Sequence, residues 1–132
     1  MMGRLAGKVA IITGGARGMG ESHVRLFAKE GAKVVFTDLN EEGGFALEKE
    51  LGENVKFVVQ DVTNAADWEH VIEEAEKTFG PVNILVNNAG ISINKTIFDM
   101  TEAEYRKIVD INQVSVFLGI KYVIPSMKKT GN

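Results

Sequence analysis

The sequence predicts an α/β protein built on a doubly wound parallel sheet. Three observations carry that prediction. Short β-branched apolar runs recur along the chain, each nearly uninterrupted, as in strands covered on both faces. Amphipathic stripes of helical period separate them. Glycines stand where strand must give way to helix and where helix must stop. Strand and helix alternate as far as a fourth strand and the helix after it, which is the pattern of crossover connections over a parallel sheet. The 132 residues have the length of one domain.

The strands are expected at Lys8 to Thr13, Lys33 to Asp38, Val55 to Gln60 and Val82 to Asn87. The first helix runs from about Gly18 to Glu30, buries Val24, Phe27 and Ala28, and ends at Gly31. The second, from about Glu41 to Leu51, is weakened by Gly43 and Gly44 and stops at Gly52. In the third, Trp68, Val71, Ile72, Ala75 and Phe79 form one stripe, with Thr63 or Asn64 as N-cap and Gly80-Pro81 as the stop. The fourth opens with a capping box of Thr101 and Glu104 and carries Tyr105, Ile108, Asn112, Val116 and Ile120 on one face. Pro125 is expected to kink or end it.

Composition narrows the function classes. Hydrophobic content of 45% and charged content of 25% are those of an ordinary globular domain. A net charge of −3 gives no electrostatic reason for a nucleic-acid or anionic-membrane partner. The absence of cysteine excludes disulfides, thiolate metal sites and cysteine nucleophiles. No set of His, Asp and Glu has metal-ligand spacing, so no metal is expected; His23 and His70 lie off their helices' apolar stripes. No stretch approaches the roughly 20 apolar residues of a membrane span, and the N-terminus has no signal-like apolar run. A cytoplasmic location is the resulting expectation.

The most informative junction is Val9-Ala10-Ile11-Ile12 running into Thr13-Gly14-Gly15-Ala16-Arg17-Gly18-Met19-Gly20. A phosphate needs unpaired backbone N–H groups and the positive end of a helix dipole, and a helix opening near Gly18 supplies both. Glycine permits positive φ in the turn, lets the backbone approach the ligand, and lets helix and strand pack closely. Gly14, Gly18 and Gly20 are spaced for those three roles, with Ala16 and Arg17 on the loop. A strand before and an amphipathic helix after it favour a dinucleotide pyrophosphate site over a plain turn.

Other polar residues fall at strand ends, where such sheets bind ligands. Asp38 closes the second strand, 20 residues after Gly18. Its carboxylate can accept hydrogen bonds from the adenosine ribose hydroxyls and repel a 2′-phosphate, and Leu39 and Asn40 bring no basic group beside it. NAD is therefore expected rather than NADP; the plainer reading is an aspartate that terminates a strand. Asp61-Val62 suits contact with adenine and suits helix capping equally well. Asn87-Asn88-Ala89-Gly90 reads as a turn or as small residues passing close to a cofactor. Asn112, inside an apolar stripe, is either a satisfied structural amide or the holder of an ordered water.

Taken together, Thr13-Gly14-x-x-x-Gly18-x-Gly20, Asp38, Asp61-Val62, Asn87-Asn88-Ala89-Gly90 and Asp110-Ile111-Asn112 resemble the short-chain dehydrogenase/reductase family over nearly the whole chain. The resemblance implies a Rossmann fold holding NAD, with Gly14, Arg17, Gly18, Met19, Asp38, Asp61, Val62, Asn88, Ala89 and Gly90 around the cofactor. It implies that Asn112 is the catalytic asparagine, holding a water in a proton relay. It also implies a homo-oligomer through the helix beginning near Thr101, and a small alcohol or ketone as substrate. The general run is similar to the branch that handles hydroxysteroids and diols; a 3-oxoacyl-type reductase and a non-catalytic dinucleotide-binding module are the alternatives.

One departure is large. Family members are longer, and their serine and Tyr-x-x-x-Lys follow a fifth strand. Tyr105 has Val109 four residues on and Tyr122 has Ser126, so neither supplies that motif. A lone phenol holds its proton at neutral pH. This stretch is therefore expected to be the cofactor-binding half of a longer enzyme, truncated after the fourth strand and its helix and inactive by itself. The apolar edge of that fourth strand, Val82 to Val86, is expected to be exposed.

Overall fold

A computed structural model describes residues 3–131. Its strands are β1 (Val9–Thr13), β2 (Lys33–Asp38), β3 (Val55–Val59) and β4 (Ile84–Val86). Its helices are α1 (Gly18–Lys29), α2 (Glu41–Leu51), α3 (Ala65–Thr78), α4 (Glu102–Val109) and α5 (Ser115–Lys128), with a π-helical segment, Asp110–Val114, between the last two. The strands form one parallel sheet in the order β3-β2-β1-β4. This is the doubly wound Rossmann arrangement that the sequence predicts. The chain moves outward from β1 to β3 and then returns to the other side of β1. The order therefore reverses between β1 and β4, which is where such sheets open a crevice at their carboxyl ends.

The two faces follow from strand alternation. Val9 and Ile11 of β1, with Val35 and Val58, point to one side and meet Val71 and Ala75 of α3 and Val123 of α5. Ile12, Val34, Phe36, Val55 and Phe57 point to the other and meet Val24 of α1 and Leu47 of α2. Each such side chain, fully buried, contributes about 1.5–3 kcal/mol. That outweighs the roughly 1 kcal/mol that each glycine costs in a helix interior, so α2 forms over the predicted span. Gly44 is also required there, because a Cβ would lie 2.3 Å from the Phe57 ring. Phe57 in turn packs on Phe36 and edge-on against Phe45, with ring centres 5.2 and 5.0 Å away.

Several expectations need correcting. β4 is shorter than Val82 to Asn87, because the Val82 N–H is taken by the Ser126 hydroxyl and the Asn88 N–H turns back to the Val86 carbonyl. It stands at the edge of the sheet, paired with β1 on one side only, as expected; the side chains of Ile84, Leu85 and Val86 are half-buried and Val82 is buried. Lys8 and Gln60 lie just outside β1 and β3, and Glu30 just beyond α1. Phe27 and Ala28 are half-buried at the edge of the core. Pro125 ends nothing: α5 continues through it to Lys128.

The fourth helix departs furthest. The predicted stripe is not the buried face: Tyr105, Asn112 and Ile120 are exposed. Ser115, Gly119, Val123 and Ser126 face inward instead. Small residues are needed there, since a Cβ on Gly119 would lie 2.8 Å from the Trp68 ring. Trp68 is fully buried, as the stripe in α3 predicts, and donates its Nε1–H to the Val62 carbonyl at 2.8 Å. Contrary to the expectation that no stretch reaches the length of a membrane span, the continuous helical run Glu102–Lys128 is long and apolar enough to cross one. Its most apolar window has a mean hydropathy of 1.3 and is 17% buried.

Candidate functional site

The carboxyl ends of the four strands converge on one cavity of about 600 Å³. Gly14, Arg17, Gly18, Met19, Asp38, Asp61, Val62, Asn88, Ala89 and Gly90 all line it, so the structure brings together every residue the sequence assigned to cofactor binding. Asn112 is not among the lining residues, although its neighbour Ile111 is.

The glycine loop is built by its neighbours. Gly14 has φ +66°, in the left-handed region, and a Cβ there would lie 3.0 Å from the Ala89 Cα. A Cβ on Gly20 would meet the Gly14 carbonyl at 1.9 Å, so the first turn of α1 folds directly onto the loop. Arg17 is the N-cap of α1 but offers no side-chain hydrogen bond to that turn. The N-terminal N–H groups of this helix therefore have no side-chain cap and face the cavity with the positive end of the helix dipole.

Asn88 locks the loop to the far side of the crevice. Its Nδ2 donates to the carbonyls of Thr13 and Gly14, both at 3.1 Å. In return the Thr13 hydroxyl accepts the N–H groups of Asn88 and Ala89 at 3.1 and 3.0 Å. Thr13 heads the glycine motif in the sequence, but its hydroxyl was given no role there. Its signal is a hydroxyl at the last residue of an otherwise apolar strand, directly before Gly14.

Asp38 accepts the N–H groups of Ala16 at 3.2 Å and Asn40 at 3.1 Å. Both oxygens are thereby oriented, and a carboxylate keeps further lone pairs for a ligand. Asp61 takes the Thr63 N–H at 2.9 Å and the Thr63 hydroxyl at 2.6 Å on its Oδ1. The helix cap itself is Asn64, which accepts the Asp67 N–H at 3.1 Å. Thus Asp61 and Thr63 form a local turn before α3, and Asp61 remains exposed at the cavity.

Beneath Asp38 lies a pair that sequence reasoning missed. Thr37 is wholly buried and donates its hydroxyl to Gln60 Oε1 at 2.6 Å. Gln60 Nε2 is buried with no hydrogen-bond partner, and both residues line the cavity. The donor is therefore available to a water or a ligand in the cavity. Its signal in the sequence is a polar residue closing the apolar run of β3.

Asn112 sits in the π-helical segment, which the sequence did not anticipate. Its Oδ1 accepts the Ile91 N–H at 2.8 Å and its Nδ2 donates to the Ile91 carbonyl at 2.7 Å. The amide is therefore satisfied, and it pins the segment that follows Gly90. π-Bulges place a side chain where regular helix geometry would not, and they are frequent at functional sites.

A family model for short chain dehydrogenase matches residues 8–132. The chain belongs to the short-chain dehydrogenase family. It is 49% identical over 131 residues to a 3-alpha-(or 20-beta)-hydroxysteroid dehydrogenase of Mycobacterium tuberculosis, covering 99% of this chain and 50% of that protein. It is 44% identical to a 3-beta-hydroxysteroid dehydrogenase of Comamonas testosteroni, covering 99% and 52%. The crystal structure of a 3-ketoacyl-(acyl-carrier-protein) reductase from Brucella melitensis, complexed with NADH, superposes with a TM-score of 0.92 at 39% identity, covering 96% of this chain and 53% of that one. The short-chain dehydrogenase chain described here thus spans about half the length of the curated relatives it matches.

Proposed function

We propose that this chain is the cofactor-binding part of an NAD-dependent oxidoreductase that interconverts secondary alcohols and ketones of the hydroxysteroid or diol type. The observation that carries the reading is the cavity at the β1/β4 reversal, lined both by a helix N-terminus without a side-chain cap and by Asp38. Donors at one end and a carboxylate at the other are the groups that a pyrophosphate and a ribose would need. The unpartnered donor of Gln60 and the open space beside Gly18, where a Cβ would meet nothing within 4 Å, also suit a polar ligand that approaches the backbone closely.

In this reading the N–H groups around Gly18 and Met19 and the guanidinium of Arg17 hold the pyrophosphate. Asp38 accepts from the ribose hydroxyls. Asp61 and Val62 flank the adenine, and Asn88, Ala89 and Gly90 let the nicotinamide half lie against the backbone. When bound, the dinucleotide supplies the hydride chemistry. Asn112, fixed by Ile91, orders a water beside the reaction centre. Two like charges near 4 Å repel by about 1 kcal/mol in water and about 4 at an effective dielectric of 20, so Asp38 selects against a 2′-phosphate.

The test is titration with NADH and NADPH on the polypeptide as its gene encodes it. NADH binding at least tenfold tighter is expected; tighter NADPH binding would contradict the role given to Asp38. A 3-oxoacyl substrate is the second reading, favoured by the structural likeness to the Brucella reductase. Comparing turnover of a hydroxysteroid with that of a 3-oxoacyl thioester distinguishes the two.

A further inference from the structure

Gln60 stands apart from the other residues of the cavity. Among the described residues, its Nε2 is the one buried side-chain polar atom without a hydrogen-bond partner. The residue is only 2% exposed and yet lines the cavity. Its other amide atom is fully engaged, accepting the hydroxyl of Thr37 at 2.6 Å. Its backbone N–H donates to the Asp38 carbonyl at 3.1 Å, and the Thr37 carbonyl accepts the Gly15 N–H at 2.9 Å. Gln60 therefore links the end of β3, the end of β2 and the glycine loop. A residue needed only to close a strand beside Thr37 has no use for a second, unmet donor at that depth.

We infer that Gln60 is a positioning and specificity residue for the adenosine half of the dinucleotide, an inference that rests on the function proposed above. Through Oε1 it fixes Thr37, and through Thr37 it sets the placement of Asp38 and Gly15. Its Nε2 is the donor that the bound adenosine group satisfies, directly or through one water. In the complex the Nε2 donor is paired with the ligand, at the depth where an unpaired donor would be costly.

A double variant, Thr37→Val with Gln60→Met, removes the hydroxyl and the whole amide while keeping the volume. Replacing both partners of a buried hydrogen bond by apolar groups of similar shape is close to neutral or stabilising. The melting temperature of the free protein is therefore expected to hold or rise. Affinity for NADH and for ADP-ribose is expected to fall about tenfold, whereas affinity for reduced nicotinamide mononucleotide, which lacks the adenosine, is expected to stay unchanged. Unchanged affinity for ADP-ribose overturns the inference. So does a melting temperature that falls together with the affinity for all three ligands, which marks a merely structural pair. If the parent protein binds neither NADH nor ADP-ribose, the proposed function itself fails and this inference with it.

Discussion

Gly14 shows how much of the site rests on single atoms. A side chain there would have to adopt φ +66°, which costs an L-residue roughly 1–2 kcal/mol, with the Ala89 Cα 3.0 Å from its Cβ. Gly14→Ala is expected to lower stability by at least about 1 kcal/mol in urea unfolding and to weaken NADH binding more than tenfold. Asp38→Ala tests a different property. It removes the like charge and is expected to bring the NADH and NADPH dissociation constants within about threefold of each other, with fluorescence titration as the readout. Of the assigned side chains, Asp38 and Asn88 were legible because a carboxylate closing a strand and an amide after one are chemically conspicuous. Gln60 and Thr37 were not, because only their burial together makes them unusual.

At the scale of elements, the helical run after β4 is the instructive case. Its start was readable: the Thr101 hydroxyl accepts the Glu104 N–H at 3.1 Å and Glu104 accepts the Thr101 N–H at 3.0 Å. Thr101→Ala is expected to cost about 1 kcal/mol. The Lys95 ammonium, with the Thr101 N–H, holds the Glu104 carboxyl down to about 2 from its ordinary 4.5. A depressed carboxyl stabilises the fold fully above about pH 4.5, and that contribution is lost as the pH falls toward 2. The melting temperatures of the parent and of Glu104→Gln are therefore expected to differ at pH 7 and to converge near pH 2. The π-helical segment and the choice of inward face were not readable. The inward face follows from α5 having to pass Trp68 with Gly119 against its ring. Gly119→Ala is expected to cost about 1–3 kcal/mol by overpacking that contact, measured by chemical denaturation.

For the whole molecule, the question is what covers the outer face of α5. Phe117, Ile120 and Ile124 are 61%, 49% and 41% exposed along it, and Val114 just before it is 38% exposed. Exposed apolar residues gathered along one helix face mark an interaction surface rather than the scatter of single residues found on any protein. Self-association through this helix is the partner we propose. Ile120→Glu is expected to shift the protein to a smaller species in sedimentation analysis while its circular dichroism stays unchanged. An unchanged sedimentation coefficient would remove the helix from the interface. Inward, the end of α5 is secured differently: the Ser126 hydroxyl donates to Glu76 at 2.7 Å and Lys129 bonds both Glu76 oxygens at 2.9 Å. Lys129 and Ser126 hold the Glu76 carboxyl below its usual range.

The alternation of apolar runs and stripes by itself determined the fold class, the strand at Lys33 to Asp38, the helix from Glu41 to Leu51 and the Thr101 cap. These are local matters, decided by periodicity, turn residues and caps within a few positions. The glycine loop, Asp38, Asp61-Val62 and Asn88-Ala89-Gly90 were equally legible as residues that would meet, because each follows a parallel strand and a parallel sheet brings those ends to one edge, whereas Asn112 lies on the helical run and does not line the cavity. Only the tertiary structure decided which face of the last helix is buried and where β4 ends. It alone joined Asn112 to Ile91, 21 residues away, and Thr37 to Gln60, 23 residues away. Those outcomes depend on hydrogen bonds and side-chain volumes brought together across the fold, which no local window of sequence contains.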